Sequence, residues 1–126
     1  MPAISALTPE EISVYRAMAR QRLAREQQQT APRRQQAWKL ARRAAALLKE
    51  RFGATRVVVF GSLVYEGGFT PWSDVDLAVW GIRPEDVFRA LSAVVDMDAH
   101  IEIDLVDINT CRPALRAAIE REGIEV

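Results

Sequence analysis

Asp74 and Asp76 flank a single valine in Ser73-Asp74-Val75-Asp76-Leu77-Ala78-Val79, a stretch that alternates polar and apolar residues. Such alternation reads as a β-strand. Strand side chains have a period of two, so both carboxylates share one face and Val75, Leu77 and Val79 share the other. Neighbouring carboxylates repel unless a cation sits between them, and a hard divalent cation such as Mg²⁺ takes carboxylate and phosphate oxygens together. Upstream, the β-branched run Val57-Val58-Val59-Phe60 reads as a buried strand. It leads straight into Gly61-Ser62, a small-residue break where a helix or a phosphate-holding turn can begin. Glycine lets backbone come close to a ligand, a helix start offers free N–H groups to an anion, and the Ser62 hydroxyl can donate a hydrogen bond. A turn-rich loop (Gly67, Gly68, Thr70, Pro71, Ser73) joins the two strands. An isolated Asp-x-Asp can be a solvated strand edge. The whole constellation is more specific than any of its parts.

The elements around this stretch must position it. Ile101 to Asp107 alternates again and predicts a third strand, with Ile101, Ile103 and Leu105 on one face and Glu102, Asp104 and Val106 on the other. If this strand neighbours the Asp-x-Asp strand, Asp104 joins Asp74 and Asp76, with Glu102 a competing candidate on the same face. Asp107 is expected at the strand end. Asp96 and Asp98 fall in a turn, where aspartate is expected anyway. His100, the sole histidine, reads as a surface or capping residue. Phe69 and Trp72 close the loop, and covering the core suits them better than stacking on a base.

Four full helices and one short one are expected. Thr8-Pro9-Glu10-Glu11 is a capping box that starts the first. It runs to about Gln27 with a thin apolar stripe of Ile12, Tyr15, Ala19 and Leu23, behind a loose tail from Met1 to Leu7. Gln27 to Pro32 reads as a break, since the residue before a proline is pushed out of helical geometry. The second helix runs from Arg33 to Arg51, with Trp38, Ala41, Ala45, Leu48 and Phe52 inward and Gly53 as its stop. A short helix over Leu63 to Glu66 follows Gly61-Ser62. Pro84 starts the third full helix, to about Val95, with Val87, Phe88, Leu91, Val94 and Val95 inward. Thr110 is the expected cap of the last, from Arg112 to Glu122, with Leu115, Ala118 and Ile119 inward. Ile124 to Val126 reads as either an edge strand or a tail.

The chain has 126 residues, 49% apolar and 27% charged, which is ordinary for a soluble globular protein with one core. No stretch approaches the length of a membrane span, and the N-terminus lacks the layout of a signal peptide. One cysteine, Cys111, cannot form an internal disulfide and fits a reducing cytosol. One cysteine and one histidine argue against a zinc site. Net charge is zero, yet residues 1–53 carry eleven Arg/Lys against four Asp/Glu and residues 54–126 carry six against thirteen. A basic arm on an acidic body fits a nucleic-acid or acidic partner, or an arginine-rich helix face that is merely solvated.

Gly61-Ser62, eleven residues, then Asp74-Val75-Asp76 resembles the signature of the minimal nucleotidyltransferases of the DNA polymerase β-like superfamily. The spacing is one residue longer than the usual form, and Leu63 and Val64 stand where the family often has an arginine, so a phosphate-contacting cation would come from elsewhere. The resemblance covers about residues 36–126. It implies an α/β fold with a small mixed sheet, helices on one face and the carboxylate face open, here preceded by an N-terminal helix pair. Residues 1–32 would be a tail and basic helix and residues 33–126 the nucleotidyltransferase domain. It also implies that Asp74, Asp76 and Asp104 are the catalytic and metal-holding residues for two Mg²⁺ ions, and that Gly61 and Ser62 hold the triphosphate of ATP. Larger members carry a second domain for the acceptor. A small chain of this kind looks like the antitoxin half of HEPN/nucleotidyltransferase toxin–antitoxin modules, a cytoplasmic enzyme moving AMP to a tyrosine of a HEPN ribonuclease partner. A small-molecule nucleotidyltransferase of the aminoglycoside-modifying kind and an antitoxin acting by contact alone are the alternatives. Homo-oligomer formation and nucleic-acid contact stay open, and no membrane partner is expected.

Overall fold

The structure is a computed structural model that describes residues 7–126, with side-chain surroundings given for all of these but 26–30. The expected tail over residues 1–6 lies outside the described residues. The first helix, α1, spans Pro9–Phe52. Thr8 caps it as the sequence predicts: its Oγ1 accepts from Glu11 N at 3.2 Å. Gly53 ends it in the left-handed conformation, with φ of 74° and its N–H on the Leu48 carbonyl.

The expected break at residues 27–32, and with it the helix pair, is replaced by this single helix of 44 residues with Pro32 inside it. Pro32 is exposed. Water can therefore satisfy the carbonyl one turn back that loses its partner, and the cost of an interior proline is met without burying an unpaired group. A proline weakens a helix but does not by itself decide where the helix stops.

After α1 come β1 (Arg56–Phe60), a 3₁₀ turn at Gly61–Val64, β2 (Val75–Trp80), a 3₁₀ turn at Pro84–Asp86 and α2 (Val87–Val95). Then follow β3 (Ile103–Asp107), α3 (Pro113–Glu122) and β4 (Ile124–Glu125). The sheet order is β3-β2-β1-β4. β1 is antiparallel to β2 and to β4, and β2 is parallel to β3. The C-terminal residues, readable as strand or tail, are thus an edge strand. Val126 N donates to Val57 O at 3.0 Å, and Lys49 Nζ reaches Val126 O at 2.6 Å.

Val57, Val59, Val75, Leu77, Val79 and Ile103 form one buried face of the sheet. Against it lie Ala37, Leu40, Ala41, Ala44, Ala45 and Leu48 of α1 and Ala90 and Val94 of α2. The expected stripe of Ile12, Tyr15, Ala19 and Leu23 is exposed and packs on no other described element of the domain. The buried face of α1 is wider than the expected set of Trp38, Ala41, Ala45, Leu48 and Phe52. Its alanines let the helix sit close to the β-branched sheet surface, and Trp38 packs half-buried at the margin. Along α2 the positions packed on the core are Val87, Ala90 and Val94 at helical spacing, and Leu91 is half-buried. Phe88 lies off that face and is 77% exposed, against expectation, and Val95 is also exposed.

The opposite face is not wholly open. Ile119 of α3 packs with Val58, Ala78 and Ile108 in a second buried cluster, at the β1 side of the carboxylate face. Thr110 does not cap α3: Arg112 is the N-cap residue, and the Thr110 hydroxyl bonds to Asp107 O instead. Leu115 is exposed rather than inward.

Candidate active site

β2 begins at Val75, so Asp74 sits just outside the ladder and Asp76 inside it. In the parallel pairing Asp76 stands opposite Asp104 of β3, and Val75 opposite Ile103. The structure thereby brings Asp76 and Asp104 side by side on one face, with Asp74 at its rim. Asp74 and Asp104 are exposed and Asp76 is half-buried. Burial pushes the Asp76 carboxyl up to about 6, and the negative charges of Asp104 and then Asp74 push in the same direction. Among the described residues no Lys or Arg forms an ion pair with any of the three. Glu102 is exposed ahead of β3 and is not among the groups that raise Asp76. Of the two candidates on that strand, Asp104 is the one coupled to Asp76.

Gly61 closes the site on the other side. Phe60 of β1 pairs with Asp76, so the chain leaves β1 directly beside this carboxylate. Gly61 turns with φ of 75°, and a Cβ there would overlap the Asp76 Oδ2 atom. Only glycine combines that backbone conformation with that approach. The segment from Gly61 is a four-residue 3₁₀ turn rather than the expected helix at Leu63 to Glu66. Its peptide dipoles are too few to sum to a helix end, so any phosphate held here would rely on individual N–H groups and the Ser62 hydroxyl. Ser62 is half-buried and Leu63 anchors the turn in the core.

The two loop aromatics part company. Phe69 is 3% exposed and packs in the core, whereas Trp72 is 90% exposed, two residues ahead of Asp74. Around Trp72 the loop is self-bonded: Thr70 N donates to Ser73 Oγ at 3.0 Å and Trp72 N to Thr70 Oγ1 at 3.2 Å. Tyr65 follows the 3₁₀ turn and donates its hydroxyl to Glu122 at the end of α3. That bond raises Tyr65 and lowers Glu122 from their ordinary values.

The remaining polar residues brace the site from outside. Asp107 Oδ1 accepts from Asn109 N at 3.1 Å and terminates β3. Asp98 Oδ1 accepts from His100 N at 2.7 Å and Ile101 N at 3.1 Å, which turns the chain into β3 and lowers the Asp98 carboxyl. His100 is exposed. Two contacts escaped the sequence reading: Arg33 and Arg34 of α1 bond to backbone carbonyls of the site's loops. Following Pro32, they read as part of a solvated basic run, and nothing in the sequence distinguishes them from the other arginines of α1.

The donor set bears on the kind of cation that fits. Among the described residues no three His, Cys, Asp or Glu side chains are disposed to enclose a metal by themselves. Mg²⁺ does not require such a cage: it is held by one or two carboxylates, water and the phosphates of a bound substrate. An aspartate face without a cationic partner, with one carboxyl raised by burial and then by its like-charged neighbours, fits that arrangement. Asp74 and Asp76, with Asp104 alongside, are the residues that would hold it.

Three further observations come from known proteins. Residues 43–126 match the family model described as "Polymerase beta, Nucleotidyltransferase". No curated protein matches the chain. A solved structure of a protein assigned as a minimal nucleotidyltransferase superposes with a TM-score of 0.55 at 32% identity, over 71% of this chain and 95% of that one. The Gly-Ser turn, the paired aspartates and the third strand all fall inside the matched segment, and the chain belongs to the polymerase β-type nucleotidyltransferase family.

Proposed function

We propose that this chain transfers a nucleoside monophosphate, AMP from ATP, to a hydroxyl of a protein acceptor. The observation that carries the reading is the aspartate face itself, Asp76 with Asp104 opposite and Asp74 at the rim, without a cationic partner among the described residues and with Asp76 close against Gly61. Family membership supports nucleotidyl transfer in general, from a nucleoside triphosphate with a divalent metal.

Each residue has a role in this reading. Gly61 and Ser62 hold the phosphate chain against the aspartates. Asp74 and Asp76 would hold Mg²⁺ together with the triphosphate, and the chemistry such an ion would supply is neutralisation of the negative charge that develops in the displacement. Asp104, on the open side of the pair, accepts the proton of the acceptor hydroxyl. The acceptor oxygen bonds to the α-phosphorus, the bond from that phosphorus to the bridging oxygen breaks, and pyrophosphate leaves.

A protein acceptor is supported by openness. Asp74 and Asp104 are exposed, and Asp76 between them is half-buried. An open site suits an acceptor that brings its own surface. By resemblance, that acceptor is a tyrosine of a HEPN-type ribonuclease toxin, in the cytoplasm, and the chain is its antitoxin. No helix among the described residues is long and apolar enough to cross a membrane.

The test is label transfer. The protein is incubated with Mg²⁺ and α-labelled ATP, with and without host lysate, and resolved on a denaturing gel. Label on one discrete protein band, lost in Asp74→Asn, is the expected result. Label only in small molecules assigns the chain to the antibiotic-modifying class. A folded protein that transfers none of the four nucleotides, yet neutralises a toxin partner, acts by contact.

A further inference from the structure

One turn of α1 touches all three segments that deliver the site. Arg33 Nη1 donates to the His100 carbonyl at 3.0 Å and its Nη2 to the Ser73 carbonyl at 3.4 Å. Arg34 Nη2 donates to the Leu63 carbonyl at 3.3 Å. Ser73 immediately precedes Asp74, His100 lies at the entry to the strand of Asp104, and Leu63 immediately follows Ser62. The partners lie 40, 67 and 29 residues away along the chain. Gln36, one helical turn on, adds a bond to Asp98 at 3.3 Å, and Asp98 in turn holds His100 and Ile101.

These bonds act where the sheet does not. The β2–β3 ladder fixes Val75 to Val79 against Ile103 to Asp107. Asp74 and the Gly61–Val64 turn fall outside that pairing, and the arginines reach the carbonyls next to them. The side chains are held there at some expense: Arg33 and Arg34 are both half-buried, and the Nε of each is buried without a partner. Arg33 also lies over the Phe69 ring, 5.7 Å from its centroid. A planar fork can reach two diverging carbonyls at once, which an ammonium cannot do with the same fixed geometry.

We propose that Arg33 and Arg34 are positioning residues, a clamp from α1 that sets the Ser62 turn, Asp74 and the entry to the Asp104 strand in mutual register. This rests on the nucleotidyl-transfer reading for its kinetic consequence and on geometry alone for its structural one. Arg33 serves the two aspartate strands and Arg34 the phosphate turn, so the two have different signatures. Displacing reacting groups by about 1 Å costs on the order of a hundredfold in rate.

The test uses the full chain with Arg33→Gln, Arg34→Gln and Arg33→Lys. Amide hydrogen exchange is measured by segment, and transfer kinetics are measured with the acceptor found above. Arg33→Gln should speed exchange about tenfold or more in residues 72–76 and 100–104 while the amides of β1 stay as in the parent, and should lower kcat with little change in KM. Arg34→Gln should loosen residues 61–65 and act mainly on KM for the nucleotide. Arg33→Lys should not restore kcat. Unchanged exchange in these segments, uniform loosening of the whole sheet, or parental kcat in Arg33→Gln overturns the clamp. If the parent chain transfers no nucleotide, the loss falls on the reading of function, and the exchange pattern still decides whether the arginines set these segments.

Discussion

The two faces of β2 are built from alternate residues of one six-residue strand, yet they do opposite things. Val75, Leu77 and Val79 are fully buried against α1 and α2. On the other face Ala78 is buried under α3, but Asp76 is half-buried beside Asp104 and Asp74 is exposed. The apolar face lowers the free energy of the fold. The acidic face raises it, because Asp76 loses hydration and gains two like-charged neighbours. Stability and chemistry are separated by the thickness of a strand, and the burial that anchors one face holds the other rigid.

Substitution can test that separation from either side. The largest effect is expected from Asp74→Asn or Asp76→Asn, each lowering nucleotidyl transfer by about a thousandfold or more, since several kcal/mol of charge stabilisation go with a metal-holding carboxylate. Circular dichroism should remain that of the parent, and retained transfer in both variants would remove these residues from the site. On the buried face, Leu77→Ala should cost about 3 kcal/mol of unfolding free energy by denaturant titration, with transfer per folded molecule unchanged. A large loss of kcat in this variant at saturating folding conditions would show that the faces are not independent.

Gly61→Ala sits where the faces meet. A left-handed alanine costs about 1–2 kcal/mol, and the added methyl must displace the Asp76 carboxylate. Both stability and transfer should fall, and loss of stability with full transfer would mean that Asp76 moves without consequence. The smallest effect concerns pH. The carboxyl of Asp76 lies at about 6 in the folded chain against 3.8 for the free group, so the folded state binds its proton more tightly. The penalty is absent below pH 4 and grows as pH rises through 6. Asp76→Asn should therefore raise stability at pH 7 by on the order of 1 kcal/mol, after allowance for solvent screening of a half-exposed group. The gain should vanish at pH 3.5. Equal gains at both pH values would assign the effect to something other than charge.

Much of this was legible in the sequence because it was local. The β1 run, the alternation of Asp74 to Val79, the Thr8 cap and the Gly53 stop each depend on neighbouring residues, and each appears at its expected place. Errors arose where a local signal competed with a longer-range one. Pro32 reads as a break from its neighbours alone, but its exposed position lets one helix continue through it. Phe88 reads as inward for its hydrophobicity, but the α2 face is set by Val87, Ala90 and Val94 and leaves Phe88 in solvent.

By itself the sequence determined the strands and the sharing of a face by Asp74 and Asp76, because a period of two is a property of the chain alone. Only the tertiary structure decided that β3 lies parallel to β2 with Asp104 opposite Asp76. It also decided that Phe69 is buried while Trp72 is not, and that Arg33 and Arg34 turn inward to the loops of the site. The physical reason is register. A one-residue slip of β3 would move Asp104 to the buried face, and no local rule forbids it. What holds it is the burial of Ile103 in the core and the contacts across residues 40 and 67 positions apart, and these exist only once the chain has folded.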